Sequence, residues 1–370
     1  MPDVGNLNQP SENKYMPSPQ EKRRLAAAMR GNSREFSELA EPYRRELQVH
    51  CYRILGSTHD AEDMVQETML RAWKRLDTYE GRASFRAWLY KIATNVCLDT
   101  LDKRRRRAKR LLPIDVFSPA DPHQPIEPPL TEILWLEPLP DEWLADSSAN
   151  NPETRYSTRE SISLAFLTAL QLLPARQRAV LILKDVMDWS ASEIAGLLDT
   201  TISSVNSALH RARMTLAKNY RGRKSQVLSS DETDEKTRQL LEKYIRAWQA
   251  ADVNGLVALL RKDATLSMPP STSWYAGREN IGAFAGNTVF ANNGMMFPGM
   301  AIGRWKLLPV QANGGPAAAV YQRMEDGEYH PFGVHVLTCE KGLITQVNCF
   351  ADPSFPTRFG LPQKLETDTL

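Results

Sequence analysis

No run of apolar residues in this sequence approaches the roughly 18–20 needed to span a bilayer. Leu25–Met29 and Ala179–Leu183 are typical of its uninterrupted apolar stretches, so a membrane-spanning helix is not expected. The first twenty residues are polar and broken by proline, with no apolar core segment. No secretory leader is therefore expected, and the chain reads as cytoplasmic. Cysteine is scarce. The four present, Cys51, Cys97, Cys339 and Cys349, form no CxxC pair and sit in apolar-patterned segments. That suits buried thiols in a reducing compartment rather than a disulfide framework or a zinc finger. Also missing are a GxxxxGK phosphate loop, an HExxH helix and a GxSxG elbow, so the common nucleotide, metalloprotease and hydrolase chemistries have no motif. No cofactor, metal site or catalytic residue is expected.

What is present is length and localised charge. With 370 residues, 42% hydrophobic and 24% charged, the chain has material for two to four soluble domains. Its formal net charge of +2 conceals a division. Residues 1–112 hold 22 Lys/Arg against 15 Asp/Glu, and residues 113–160 hold 2 against 10. Residues 161–224 hold 9 against 4, and residues 225–370 hold 13 against 15. Two basic blocks around an acidic spacer suit two contacts with a polyanion, because neutralised phosphates supply the sequence-independent part of nucleic-acid affinity. Solvated surface is the plain alternative. Nine of the 24 prolines fall in 113–160, which excludes a regular helix there and marks a linker. Its Ile133, Leu134, Trp135, Leu136, Trp143 and Leu144 offer an apolar anchor. A second, polar linker is expected at 223–234.

In the first basic block Val65, Met69, Ala72 and Leu76 recur at helical spacing and form one stripe, with Glu62, Asp63, Gln66 and Glu67 off it. A turn at Tyr79–Ser84 leads to a second helix whose stripe is Phe85, Leu89, Ile92 and Val96. Trp88, Tyr90, Lys91 and Asn95 interleave with it before the run Lys103–Arg107. Rings stack on unpaired bases at about 1–3 kcal/mol per base while basic groups follow the phosphates. Trp88 fits a plain core role as well.

The stretch DAEDMVQETMLRAWKRLDTYEGRASFRAWLYKIATNVCLDTLDKRRRR resembles region 2 of the sigma-70 family, in its extracytoplasmic-function (ECF) group. The resemblance implies that Asp63, Gln66, Glu67 and Leu70 contact the β′ clamp helices of RNA polymerase. It also implies that Arg86, Trp88, Lys91, Asn95 and Arg104 face the −10 DNA.

In the second basic block, Ser190 and Glu193 have capping-box spacing before Ile194, Ala195 and Leu198. After a break at Asp199-Thr200 comes the stripe Val205, Leu209, Ala212 and Leu216. Short helix, tight turn and longer helix make a helix-turn-helix plan, whose second helix can enter the major groove. Its outward set is Thr201, Ser203, Ser204, Asn206, Ser207, His210, Arg211 and Arg213. Asp199 stands where many such turns use glycine, and Asp tolerates left-handed backbone better than most residues. His210 has no second metal ligand nearby. LPARQRAVLILKDVMDWSASEIAGLLDTTISSVNSALHRARMTL resembles region 4 of the same family, which implies −35 DNA and the polymerase β flap as partners.

Residues 235–355 read as helices followed by strands at Ala264–Met268, Trp305–Gln311, Ala317–Met324, Val334–Cys339 and Leu343–Phe350, an α+β unit. KDATLSMPPSTSWYAGRENIGAF resembles the SnoaL-like branch of the NTF2-like cone fold. On that resemblance Trp274, Phe284, Trp305, Tyr321, His335, Phe350 and Asp352 are candidates for a ligand pocket. Asp263, His330, His335 and Asp352 are its titratable groups.

The expected architecture is multidomain: two all-α domains and an α+β NTF2-like cone. The expected limits are a disordered tail at 1–22, sigma region 2 at 23–112, an acidic linker at 113–160 and region 4 at 161–222. The cone follows at 235–355, and a C-terminal tail at 356–370. The function implied is promoter-specific initiation with core RNA polymerase, regulated by the C-terminal unit, with a small-molecule ligand as a further partner and no membrane. Two alternatives stay open: a helix-turn-helix regulator acting without polymerase, and an enzyme with a DNA-binding appendage.

Overall fold

A computed structural model describes residues 18–104, 109–130, 132–144, 159–220, 231–294 and 296–366. Most of the expected N-terminal tail, the linker at 223–230 and Arg105–Arg107 lie outside the described residues.

Among the described residues, four α-helices form the first domain: α1 Pro19–Met29, α2 Ser33–Leu55, α3 Thr58–Lys74 and α4 Phe85–Arg104. The tail expected to reach residue 22 stops earlier, because Ser18 caps α1 by accepting the Glu21 amide at 3.1 Å and Pro19 suits a first helical turn. In α3 the periodic Val65, Ala72 and the following Leu76 are buried, with Ala61 and Thr68 beside them. Helix α4 is covered on several faces. Tyr90, Thr94, Cys97 and Leu98 are buried together with its expected stripe: His50 of α2 covers Thr94 and Tyr90, and Trp189 of the second domain also packs on Tyr90.

The second helical domain comprises α5 Leu164–Gln171, α6 Ala175–Leu181, α7 Ala191–Leu197 and α8 Ile202–Tyr220. The capping box forms as expected: the Glu193 amide donates to Ser190 Oγ at 3.2 Å and the Ser190 amide to Glu193 Oε2 at 2.8 Å. Asp199 holds the turn at φ 48°.

The third unit starts with α9 Asp231–Gln249 and α10 Val253–Leu259, and adds α11 Arg278–Phe284. Its strands are β1 Leu260–Ser267, β2 Trp274–Ala276, β3 Trp305–Ala312, β4 Gly315–Arg323, β5 Tyr329–Glu340 and β6 Leu343–Phe350. They form one mixed sheet in the order β2-β1-β6-β5-β4-β3, with β1 and β6 parallel and the other neighbours antiparallel. One face, with Leu266, Tyr275, Ala318, Val320, Leu337 and Val347, packs with α9, α10 and α11. The other, with Ala317, Ala319, Tyr321, Val334, Val336 and Phe350, shares a core with Leu136, Leu139 and Trp143 of the linker and the first-domain helices.

The expected C-terminal tail is in fact structured through residue 366. A short helix, α12 Phe355–Arg358, is followed by buried Phe359 and by Leu365 bridged to Tyr329. The linker is docked along its described length. Trp274 donates from Nε1 to the Phe117 carbonyl at 2.8 Å, Ser271 Oγ to the Glu127 carbonyl at 2.8 Å, and the Leu130 amide to the Pro270 carbonyl at 3.0 Å. The Ala120 amide also donates to the Trp274 carbonyl at 2.8 Å, so the linker satisfies a backbone group on the sheet edge at β2. Burying Leu136, Leu139 and Trp143 adds roughly 1.5–3 kcal/mol per side chain. No helix among the described residues is long and apolar enough to cross a membrane.

Candidate polymerase and nucleic-acid interfaces

Helix α3 separates its faces cleanly. Val65, Thr68 and Ala72 turn inward, whereas Asp63, Gln66 and Leu70 are exposed and Glu67 is half-buried. Positions 63, 66, 67 and 70 share one side at helical spacing. Leu70, 47% exposed, is an apolar residue set among polar ones. Glu67 is held by Arg71 at 2.6 Å.

The first turn of α3 is gripped from elsewhere in the chain. Glu137 of the linker accepts from Ser57 Oγ at 2.8 Å, Thr58 Oγ1 at 2.9 Å and the His59 amide at 3.2 Å, placing a carboxylate at a helix N-terminus. Arg358, beyond the sheet, reaches Thr58 Oγ1 at 3.3 Å and Glu62 at 3.5 Å. Neither residue was singled out from sequence, and neither carries a periodic signal that would reveal it.

The five −10 candidates all lie on α4, and three are bound within the chain. Arg86 makes a two-pronged pair with Glu46 at 2.8–2.9 Å and covers the Tyr90 ring at 4.9 Å. Lys91 donates to Asp199 Oδ1 at 2.7 Å and to the Gly196 carbonyl at 3.2 Å, both at the helix-turn-helix turn. Arg104 pairs with Asp60 at 2.8 Å, and Arg110 joins the same carboxylate at 2.6 Å. Burial would raise the Asp60 pKa, but the two guanidinium groups outweigh it and hold the carboxyl at about 2. Trp88 is half-buried against Tyr79 and Phe85, and Asn95 is half-buried on the same helix.

All eight −35 candidates, Thr201 just before α8 and seven on it, are exposed. Ser203, Asn206, Ser207, His210 and Arg211 line an open groove with Ile202. Thr201 is occupied in capping α8, accepting the Ser204 amide at 3.1 Å, and Arg213 pairs with Asp185 at 2.6 Å.

The seven pocket candidates do not share one face: Phe284, Trp305 and His335 lie on the helix-covered side of the sheet and the others elsewhere. Strand alternation sends Tyr321 and Phe350 to the sheet face shared with the linker and first domain, while Trp305 and Phe284 join the opposite core. Trp274 binds the linker, Tyr321 Oη donates to the Pro362 carbonyl at 2.8 Å, and exposed Asp352 accepts the Ser354 amide at 2.8 Å. His335 is the interior titratable group among the four candidates. Its Nδ1 meets Tyr244 Oη at 2.9 Å, and burial lowers its pKa to about 3, so it is neutral at physiological pH. Asp263 and His330 are tied to Arg261 and Asp326 at the surface.

The three units meet at the β3–β4 turn. Asn313, at φ 54°, donates from Nδ2 to Tyr52 Oη and to the Ile162 carbonyl, both at 2.8 Å, and accepts the Leu139 amide at 2.9 Å. Beside it Asp141 accepts the Gly314 amide at 2.9 Å. Burial pushes the Asp141 carboxyl up to about 6, against the Gly314 N–H and Arg159, which favour the charge. A carboxyl raised on docking favours the docked state at low pH. That support is present below the ordinary 3.8 and is lost as pH rises through 6. Limited proteolysis of the linker is expected to be faster near pH 7.5 than near pH 5. Asp141→Asn, which keeps an acceptor for Gly314, is expected to flatten the difference.

The Sigma-70 region 2 family model matches residues 39–107, and the Sigma-70 region 4 model matches residues 163–216. The ECF RNA polymerase sigma factor SigG of Mycobacterium tuberculosis is 43% identical over 333 residues, covering 90% of this chain and 85% of the relative. SigW of Bacillus subtilis, also an ECF sigma factor, is 28% identical over 200 residues, covering 54% of this chain and 96% of that protein. The crystal structure of the Mycobacterium tuberculosis ECF sigma factor SigJ superposes with a TM-score of 0.55 at 20% identity, covering 88% of this chain and 99% of that one. The chain belongs to the ECF RNA polymerase sigma factors, and its function is that of a sigma factor in transcription initiation.

Proposed function

We propose that α3 docks on the β′ clamp helices of core RNA polymerase through Asp63, Gln66, Glu67 and Leu70. Arg86, Trp88, Lys91, Asn95 and Arg104 then engage the −10 DNA, and the outward set on α8, from Thr201 to Arg213, reads the −35 duplex with the β flap behind it. The observation that carries this reading is the exposed face of α3, where acid, amide and an uncovered leucine align while the opposite face is buried. The C-terminal unit regulates the other two, a role supported by its bonds to α2, the linker and the first turn of α3. We assign it no ligand and no catalytic step; Trp248, Phe297 and Phe332 pack edge-on against Trp305 on its helix-covered side. The chain works where the polymerase is, in the cytoplasm.

In vitro transcription with core polymerase tests the assignment. Replacing Asp63 and Gln66 together by alanine is expected to weaken core binding and start-site-specific transcripts roughly 10- to 100-fold, as for two interface contacts of about 1 kcal/mol or more each. The circular dichroism spectrum is expected to stay unchanged, since both side chains are exposed. Undiminished transcripts from the double variant would reject this docking face.

A further inference from the structure

We infer that Asp199 is a decoy for promoter phosphate: its carboxylate holds the Lys91 ammonium, so that docking of the helix-turn-helix turn on α4 and binding of −10 DNA by α4 exclude each other. The inference rests on the reading of Lys91 as a −10 contact.

Asp199 sits at φ 48°, where glycine meets no steric cost and any other residue does. Asp is tolerated there, but the backbone alone gives no reason to prefer it. Its side chain supplies one, because Oδ1 lies 2.7 Å from Lys91 Nζ across the junction between the two helical domains. The same ammonium takes the Gly196 carbonyl at 3.2 Å, near the C-terminus of α7, where helix carbonyls lack partners and attract a cation. One lysine of the first domain thus serves as a C-terminal cap for the first helix of the DNA-reading motif. Next to this contact Trp189 lies 5.5 Å from Tyr90, so rings and charge together press the turn onto α4.

The contact has the strength a switch needs. Both partners reach solvent, with Asp199 74% exposed and Lys91 36%, so the pair is screened by salt and can be exchanged for another anion. A phosphate on a DNA strand is such an anion. While Lys91 is held by Asp199, α4 lacks that cation for DNA; once phosphate takes Lys91, the turn loses its cap and one of the contacts that press the helix-turn-helix onto α4.

The test uses the full chain with fluorophores on Arg34→Cys in α2 and Met214→Cys in α8, both exposed positions. Energy transfer reports the distance between the two helical domains, with a single-stranded oligo-dT as the added polyanion. Asp199→Asn keeps a residue suited to left-handed backbone while removing the charge. It is expected to lower the transfer and to tighten oligo-dT binding about two- to fivefold, the range of an exposed ion pair. Added salt is expected to lower transfer in the parent and to change it little in the variant. Unchanged transfer in Asp199→Asn would overturn the latch itself. Lowered transfer with unchanged oligo-dT affinity would overturn the competition and locate the failure in the reading of Lys91 as a DNA contact.

Discussion

Replacing Asn313 by alanine is expected to cost the docked arrangement about 3–6 kcal/mol. The side chain makes three bonds in a buried setting, to Tyr52 Oη, the Ile162 carbonyl and the Leu139 amide. Each group left without a partner costs roughly 1–3 kcal/mol. Alanine at φ 54° adds about 1–2 kcal/mol of backbone penalty that asparagine largely avoids. Asn313→Gly separates the two contributions, since it removes the same bonds but tolerates the backbone. It is expected to be milder than alanine by about the backbone penalty alone. Because the three partners belong to α2, the linker and the residues preceding α5, the loss falls on the junction rather than on the sheet. Calorimetry is expected to show a lowered transition and the emergence of separate unfolding of the C-terminal unit. Transcription with limiting chain is expected to rise as the linker and the first turn of α3 are released. A cooperative transition at the parent temperature would mean that the junction does not depend on this residue.

The helices and most strands were legible because their stabilising pattern is local. The stripe on α3, the capping box at Ser190, the alternation in β3 and the apolar runs of β4 to β6 are each written within about ten residues. The left-handed turn at Asp199 was legible for the same reason. Strand β2 was missed because its three residues are too few to show a period, and α11 because its buried Ile281 and Phe284 give only one turn of pattern. The split of the pocket candidates between two faces is hidden from the sequence for a different reason. Alternation tells which residues share a face, but not which face looks inward. In β4 the run Ala317–Tyr321 is buried throughout, the mark of a strand covered on both sides. The second cover is the linker and the first domain, and contacts such as Glu137 with Ser57 span 80 residues. No window of sequence records them. The same long-range packing explains why Arg86, Lys91 and Arg104, chosen as DNA-facing for their charge, are each paired with an acid from another helix or domain.

Arg178→Met is expected to be the other severe substitution, lowering stability by about 3–5 kcal/mol in chemical denaturation. Arg178 is 2% exposed, among the least accessible charged residues described, yet it holds a cation between domains. Nη1 donates to the Ile54 carbonyl and to Gln171 Oε1, and Nη2 to the Gln171 and Leu173 carbonyls at 3.3 and 3.2 Å. Ile54 lies in the last turn of α2, while Gln171 ends α5. The guanidinium therefore sits where the negative ends of two helix dipoles converge, which offsets part of the cost of burying it. Burial lowers its pKa to about 10, so it remains charged at neutral pH. Methionine fills similar volume but leaves those buried oxygens without a donor, at roughly 1–3 kcal/mol for each that finds no other partner. Arg178→Lys keeps the charge but cannot fork to both helix ends, so an intermediate loss is expected. Since the bond to Ile54 crosses from the second domain to the first, the methionine variant is also expected to loosen the helix-turn-helix from α4 and to raise hydrogen exchange at the C-terminal turn of α2. Exchange there at the parent rate, with stability unchanged, would mean that the rings and aliphatic side chains of the junction hold the two domains together without this cation.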